Sequence, residues 1–349
     1  MSLTADRGAS AQDLFYERVA GDHLAPLWRH PEMNMMKEPR PRALPHLWRF
    51  ETIRSTMMEA GRVVSATEAE RRVLLLVNPG LGGVKAPVGT LAGGVQMVMP
   101  GEVAPAHRHT PTAIRFVLES KGGAFTAVDG ERARMEEGDF IVTPSGLWHD
   151  HSNDGDQPIL WLDGVDVPMA RFFDAVFADN YPQAHHPLRR DEGDALARYG
   201  NGLLPVDWTP KGLHSPLFRY PYERSRAALA QLAKSDAADP HNGHKLAYVN
   251  PATGDHAVPT MAAFLTLLPR GFRGAPYRST ESSVYVVSEG RGKSVVGDTV
   301  VEWGPRDIFA VPNWTWVRHE PESEAVLFNY SDRAAQQKLG FFREERGAI

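Results

Sequence analysis

Along residues 11–62 the apolar positions recur at intervals of three and four. The stretches "AQDLFYERVAGDHLAPLW" and "HLWRFETIRSTMMEAGRVV" follow that spacing and predict helices, broken at Pro26 and by the turn-rich "KEPRPRALP". From Arg71 the period shortens. "RRVLLLVNPG", "TLAGGVQMVMPGE", "AIRFVLESKGG", "AFTAVDGERARMEEGDFIVTPSG" and "PILWLDGVDVP" are apolar or alternating runs closed by Gly, Pro, Asn or Asp. Such runs at short spacing predict antiparallel strands of a barrel or sandwich. Residues 169–238 revert to helix-like and irregular text, including "ARFFDAVFADN" and "SRAALAQLAKS". Strand texture returns from about Lys245 to about Asn329, and "SDRAAQQKLGFFREE" predicts a closing helix.

The two strand regions repeat each other. "MPGEVAPAHRHTPTAIRFVLESKGG" is similar to "LPRGFRGAPYRSTESSVYVVSEGRG", and "EEGDFIVTPSGLWHDH" to "GPRDIFAVPNWTWVRH". Self-similarity at this wide separation indicates a duplicated domain, not a solenoid. The expected organisation is an N-terminal helical region (1–70), a first β-domain (71–170), a helical and irregular connector (171–244) and a second β-domain (245–349). In the second copy Tyr277 and Trp314 read as filled core.

Bulk properties narrow the chemistry. The chain has 349 residues and a formal net charge of -5, which does not favour a nucleic-acid partner. It has no cysteine, so disulfides and thiolate metal sites are excluded and any metal must be held by His, Asp or Glu. No apolar run reaches the roughly 18 residues of a membrane span. "MSLTADRGAS" lacks the basic and apolar regions of a signal peptide, so a cytoplasmic protein is expected.

Gly101, His107 and His109 are followed by Gly138, Pro144, Gly146, His149 and Asn153. The spacing is G-x5-H-x-H and then G-x5-P-x-G-x2-H-x3-N. A lone H-x-H is more often a pair of solvated residues than a metal site, but here the whole pattern is present in order. It resembles the two motifs of the cupin superfamily. Strand alternation puts His107 and His109 on one face, and the glycines and proline supply the turn that returns a third histidine. "HDH" offers His149 and His151 for that place. Aligning Pro144 with Pro312 pairs His149 with Val317 and His151 with His319, while His107 pairs with Tyr277 and His109 with Ser279. Three positions have lost imidazole together, which selects His107, His109 and His149 as the ligands and predicts no such metal in the second domain. The carboxylate that usually completes a cupin site is absent, its place being Ala113 or Ile114. A site of three neutral imidazoles leaves positions open for substrate.

"MPGEVAPAHRHTPTAIRFVLE", "VDGERARMEEGDFIVTPSGLWHDH" and "WLDGVDVP" together resemble the gentisate 1,2-dioxygenase and salicylate 1,2-dioxygenase family. The likeness is strongest over residues 71–170. It implies a mainly β bicupin, two jelly-roll barrels with an N-terminal helical region, assembled as a homotetramer. It implies one Fe(II) per subunit in the first barrel. The substrate carboxylate and ortho hydroxyl would chelate the iron, and O2 would be inserted between the ring carbons that carry them. His107, His109 and His149 match the iron ligands. Arg115 matches an arginine that meets the substrate carboxylate, and it shares strand parity with both histidines of the H-x-H. His151 matches a histidine that contacts substrate or oxygen. Asp163 matches an acidic residue that could orient a histidine, although its position also suits a turn aspartate. Gln96 and Arg71 match substrate-facing positions, with Arg72 turned outward to solvent.

One departure bears on substrate. Where many family members carry an aromatic residue, this chain has Ala92, which enlarges the pocket and brings 5-substituted salicylates into range beside gentisate. The competing readings are a cupin isomerase or decarboxylase using Mn2+, Zn2+ or Ni2+, and a non-catalytic small-molecule sensor. "MNMMKEPRPRALPHLW" and "YPQAHHPLRRDE" read as exposed segments able to reach a neighbouring subunit. His185 and His186 in the second are expected to be loop residues.

Overall fold

Alternation in the strand texture gives each sheet one face for a barrel interior and one for packing against a neighbour. The structure, a computed structural model, describes residues 9–33, 35–210 and 212–349. The chain divides into two units, Met1–Pro39 and Arg40–Ile349. In the first, the helix Ala11–Gly21 opens with a capping box, in which the Ser10 hydroxyl accepts from the Asp13 N–H and the Asp13 carboxylate accepts from the Ser10 N–H. Beyond Pro26 the chain forms two single-turn 3-10 helices, Leu27–Arg29 and Pro31–Met33.

The second unit holds two barrels, each built from one six-stranded and one five-stranded antiparallel sheet. In the first barrel the larger sheet runs Arg219–Tyr220, Phe140–Thr143, Ala113–Glu119, Ile159–Val165, Ala92–Val98, Arg72–Leu75. Its smaller sheet runs Ala178–Asn180, Val103–His109, His149–Asn153, Ala124–Val128, Glu131–Arg134. The second barrel repeats this with His46–Trp48, Ile308–Val311, Ser283–Glu289, Ala325–Ser331, Ala262–Leu268, His244–Ala247 and, in the smaller sheet, Thr299–Trp303, Gly292–Val296, Val317–Pro321, Tyr277–Ser279, Glu344–Arg346.

The alternation resolves into two kinds of core. Val98, Val117, Ile141, Ile159 and Trp161 fill the first barrel. Residues of the opposite parity, Val95, Met97, Ile114 and Phe116, join Val284, Val286, Ile308 and Phe328 of the second barrel in one apolar seam. Phe116 and Phe328 stack across it with ring centroids 4.2 Å apart. Both faces of the larger sheets are therefore buried, which explains near-continuous apolar strands such as "AAFLTLL". The helix Phe50–Val63 adds Phe50, Ile53 and Met57 to the seam. Its first N–H donates to Asp307, which also holds Arg49 at 2.8 Å.

The motif glycines have a backbone role. Gly101, Gly138 and Gly146 have φ of 75°, 84° and 74°, where a side chain would be strained. The motif residue Asn153 is buried and its amide donates to the Val98 and Gln157 carbonyls, closing the loop after the third-histidine strand.

Four features differ from the sequence reading. The N-terminal helical region includes a strand, His46–Trp48, paired with Ile308–Val311 of the second barrel. The connector supplies edge strands to the first barrel through Ala178–Asn180 and Arg219–Tyr220. Local pattern cannot reveal strands this short, because their pairing is long-range. The closing helix is only Arg333–Leu339; Gly340 in the left-handed conformation ends it, and Glu344–Arg346 returns as a strand. Trp314 is half-buried, not core. Its backbone has φ 54°, and its ring carries the Arg278 guanidinium at 4.4 Å.

Two stability predictions follow. Phe328→Ala removes a stacked ring from the seam and is expected to cost about 3–5 kcal/mol in denaturant unfolding. The buried Glu131 carboxyl accepts from the Ala195 N–H, and burial pushes its pKa up from 4.5 to about 7. The folded state then holds the proton more tightly than the unfolded chain. Stability from this group is present below pH 4.5 and is lost as pH rises through about 7, at no more than about 1.4 kcal/mol per pH unit. Glu131→Gln should remove that slope from the pH–stability profile.

Candidate metal centre

His107 and His109 project from one face of Val103–His109, and register places His149 directly across from His107. One ring nitrogen from each lies within 4.8 Å of the others. The ring centroids are 4.1 Å (His107–His149), 4.9 Å (His109–His149) and 5.4 Å (His107–His109) apart.

Each imidazole is fixed in the same way. Nδ1 of His107 bonds the Pro105 carbonyl at 2.9 Å, Nδ1 of His109 the Pro111 carbonyl at 2.6 Å, and Nδ1 of His149 the Leu147 carbonyl at 3.0 Å. A carbonyl only accepts, so Nδ1 carries the proton and Nε2 carries the lone pair. The buried Nε2 of His149 has no hydrogen-bond partner in the protein. Burial holds all three rings neutral: it lowers His109, pulls His107 down to about 3, and pushes His149 well below the usual range, with Arg71 or Arg115 adding to the effect. Three convergent Nε2 lone pairs without a thiolate or carboxylate fit a borderline divalent transition metal with open coordination positions.

Beside the triad lies a polar wall. Arg115 is buried on Ala113–Glu119, with Nε 3.2 Å from Asp163 Oδ1 and one terminal nitrogen donating to the Thr143 hydroxyl. Its other terminal nitrogen donates to Nε2 of His151 at 3.3 Å. The Nδ1 proton of His151 then goes to the Thr126 hydroxyl at 2.8 Å, and that hydroxyl donates to the Met135 sulfur. Burial, reinforced by Arg115, drives His151 well below its ordinary pKa. It is a neutral acceptor with its Nε2 already engaged.

Asp163 corrects the expectation that it orients a histidine. It lies in a strand, not a turn, and its partners are Arg115 and the Trp161 indole N–H at 3.0 Å. Burial pushes its carboxyl up against the pull of Arg115. Gln96 is buried opposite Trp161, and its amide nitrogen has no partner. Ala92 begins the same strand, on the same face, and is half-buried.

Arg71 and Arg72 separate as expected in direction but not in exposure. Arg71 is half-buried and its charge is felt by His107 and Asp163. Arg72 is not solvated. It is buried and forked onto Glu102 at 2.7 and 3.1 Å, with a further bond to the Val64 carbonyl. A basic residue facing away from a site can still be interior when a helix covers that face.

His185 and His186 lie in a loop and outside the triad, as expected, but the loop is anchored and only His185 is exposed. The segment 178–186 lies along the strand that carries His107 and His109, with Asn180 opposite His107. Asp150, between His149 and His151 in sequence, points to the other face of its strand and accepts from both Nδ1 atoms, His185 at 3.0 Å and His186 at 2.6 Å. His186 is buried, and its Nε2 accepts from the Gly130 N–H. Thr126, Thr143 and Trp161 were not singled out by sequence. Only parity within their strands could have marked them.

The chain matches the family model "Cupin domain" over residues 94–165. It is 51% identical over 95% of both chains to gentisate 1,2 dioxygenase 1 of Aquipseudomonas alcaligenes. It is 38% identical to 5-aminosalicylate 1,2-dioxygenase of Comamonas sp, over 95% of this chain and 90% of the other. Among solved structures, the salicylate 1,2-dioxygenase of Pseudoaminobacter salicylatoxidans, in its adducts with gentisate, superposes with a TM-score of 0.91 at 29% identity, covering 100% of this chain and 98% of the other.

The Asp150 clamp gives a test. His186→Ala leaves part of a buried carboxylate without its hydrogen bond and is expected to cost about 1–3 kcal/mol in thermal unfolding, whereas an exposed loop histidine would cost nothing measurable.

Proposed function

The chain belongs to the gentisate and salicylate 1,2-dioxygenase family, and from that premise we propose that His107, His109 and His149 hold Fe(II) and that residues around them bind gentisate or a 5-substituted salicylate for ring cleavage. The activity is that of a ring-cleaving 1,2-dioxygenase. The observation that carries the assignment of residues is the convergence of three neutral imidazoles, each locked with Nε2 inward, beside a buried arginine.

The bound iron supplies the redox centre at which O2 and the substrate's carboxylate and hydroxyl oxygens come together. The remaining roles fall to the protein. Arg115 is positioned by Asp163, Thr143 and His151 so that its guanidinium faces the triad, where it neutralises the substrate carboxylate. Arg71 adds a second positive charge at the rim. With the histidines neutral, Arg71 and Arg115 outweigh Asp163, so the pocket attracts an aromatic acid before any metal charge is counted. The free amide of Gln96 offers donors to a ring hydroxyl, and the small Ala92 leaves space for a ring substituent. His151 acts through its Nε2 lone pair, holding Arg115 or accepting from substrate. Both atoms of O2 remain in the product, which becomes a dicarboxylate with a 2-oxo group, and no external reductant is consumed.

A homotetramer in the cytoplasm completes the reading. The exposed side chains Phe172, Phe173 and Phe177 support burial against another subunit, and the absence of cysteine fits a reducing compartment.

The test is anaerobic loading with Fe(II) followed by oxygen uptake on gentisate, salicylate, 5-halo- and 5-nitrosalicylate and 1-hydroxy-2-naphthoate. Uptake with at least one acid is expected, and His107→Ala should lose both bound iron and uptake. Full iron loading with no uptake on any of the acids would reject the assignment. Arg115→Met is expected to lower kcat/KM about tenfold or more while iron content is retained.

A further inference from the structure

The two barrels fasten onto each other by a pair of matching bonds. Asp332, just past Ala325–Ser331, accepts from the Thr90 hydroxyl at 2.6 Å and from the Ser282 N–H at 2.8 Å. Asp166, just past Ile159–Val165, accepts from the Thr260 hydroxyl at 2.6 Å and from the Thr112 N–H at 2.7 Å. Both carboxylates are buried. Each threonine lies two residues before a strand, Thr90 before Ala92–Val98 and Thr260 before Ala262–Leu268. Each barrel thus holds the start of one strand in the other.

The symmetry fails two residues earlier. Counting back from the two aspartates, Gly164 of the first barrel corresponds to Tyr330 of the second. Gly164 is paired with Gly93 on the neighbouring strand. The Tyr330 ring fills the notch that these two glycines leave on the seam face of the sheet. A Cβ added at Gly164 would lie 2.7 Å from the ring, and one added at Gly93 would lie 2.6 Å from the hydroxyl. Side chains at either position would expel the ring. Tyr330 is fully buried, and its hydroxyl donates to the Ala92 carbonyl at 3.5 Å. Burial, reinforced by the charge of Asp163, keeps that hydroxyl protonated. One residue along from each glycine, on the opposite face of the sheet, stand Ala92 and Asp163. The ring and the pocket beside the triad are separated by the thickness of one sheet.

We propose, resting on the reading of Ala92 as a pocket residue, that Tyr330 of the second barrel is a positioning residue that sets the room for a ring substituent in the first. It supports Gly93 and Gly164 from behind, while the bond from Thr90 to Asp332 fixes the start of the same strand. Interiors are close-packed, so a strand whose support is trimmed relaxes into the gap and carries its other face with it. Movement toward the seam widens the pocket at Ala92. Trimming Tyr330 therefore favours an acid with a bulky 5-substituent over gentisate.

The experiment measures anaerobic binding of gentisate and of 5-bromosalicylate to the Fe(II)-loaded enzyme and takes the ratio of the two Kd values. Tyr330→Leu should shift that ratio toward the bromo acid by about fivefold or more, with iron content unchanged. Tyr330→Phe keeps the ring and loses the hydroxyl that meets Gly93, and should shift it the same way by about twofold. Val326→Ala trims the same strand on the same seam face, away from the two glycines. It should lower unfolding stability and leave the ratio alone, which separates positioning from general loosening. Ala92→Leu narrows the pocket directly and should shift the ratio toward gentisate. If Ala92→Leu shifts the ratio and a folded Tyr330→Leu does not, the proposal is overturned while the pocket reading stands. If neither shifts it, Ala92 does not face the substrate and both fall. An equal shift in Val326→Ala overturns the proposal, and where Tyr330→Leu does not fold, an unchanged ratio in Tyr330→Phe does so.

Discussion

The site depends on three hydrogen bonds that have nothing to do with metal: Nδ1 of His107, His109 and His149 to the carbonyls of Pro105, Pro111 and Leu147. Each partner lies two residues away in the same chain segment. The strand that places a histidine thus also fixes its tautomer and ring plane. Burial removes the alternative of protonation. Three lone pairs are left pointing at one another, an arrangement that is unfavourable in a dry interior without a cation.

The barrels that carry this centre are joined by the apolar seam, and the seam explains why the chemistry is confined to one face of each sheet. Residues of one parity on Ala92–Val98 and Ala113–Glu119 are committed to contacts with Val284, Val286 and Phe328. The other parity is free to hold Gln96, Arg115 and, on the neighbouring strand, Asp163. Buried charges survive there because each is matched. Arg115 has three partners, whereas Arg72, three strands away in the same sheet and facing the opposite side, is matched by Glu102.

Much of this was legible in the sequence. Period-two alternation located the strands of both barrels, and the loss of imidazole at Tyr277, Ser279 and Val317 separated His149 from His151 as the third member of the triad. Arg115 was marked by its parity. The failures share one physical cause. Asp163 bonds an arginine and not a histidine, His186 is buried, and His46–Trp48 is a strand, because partners distant in sequence decide each outcome. Asp150 and His186 are 36 residues apart and Trp48 pairs with Ile308. Thr126 and Thr143 look like ordinary strand threonines until the strands are paired.

The strand Ala178–Asn180 also has a bearing on solubility. Without it, Val103–His109 would be the open edge of its sheet, a row of free N–H and C=O groups running past two of the three triad histidines. Such edges template the addition of further chains. The connector covers this edge with only three residues, all exposed, and Asp179 among them is paired with Arg108. The replacement edge is short and charged, a poor template for a growing fibril. A segment with no direct part in ring cleavage thereby lets the catalyst accumulate without its most functional strand becoming a seed for aggregation.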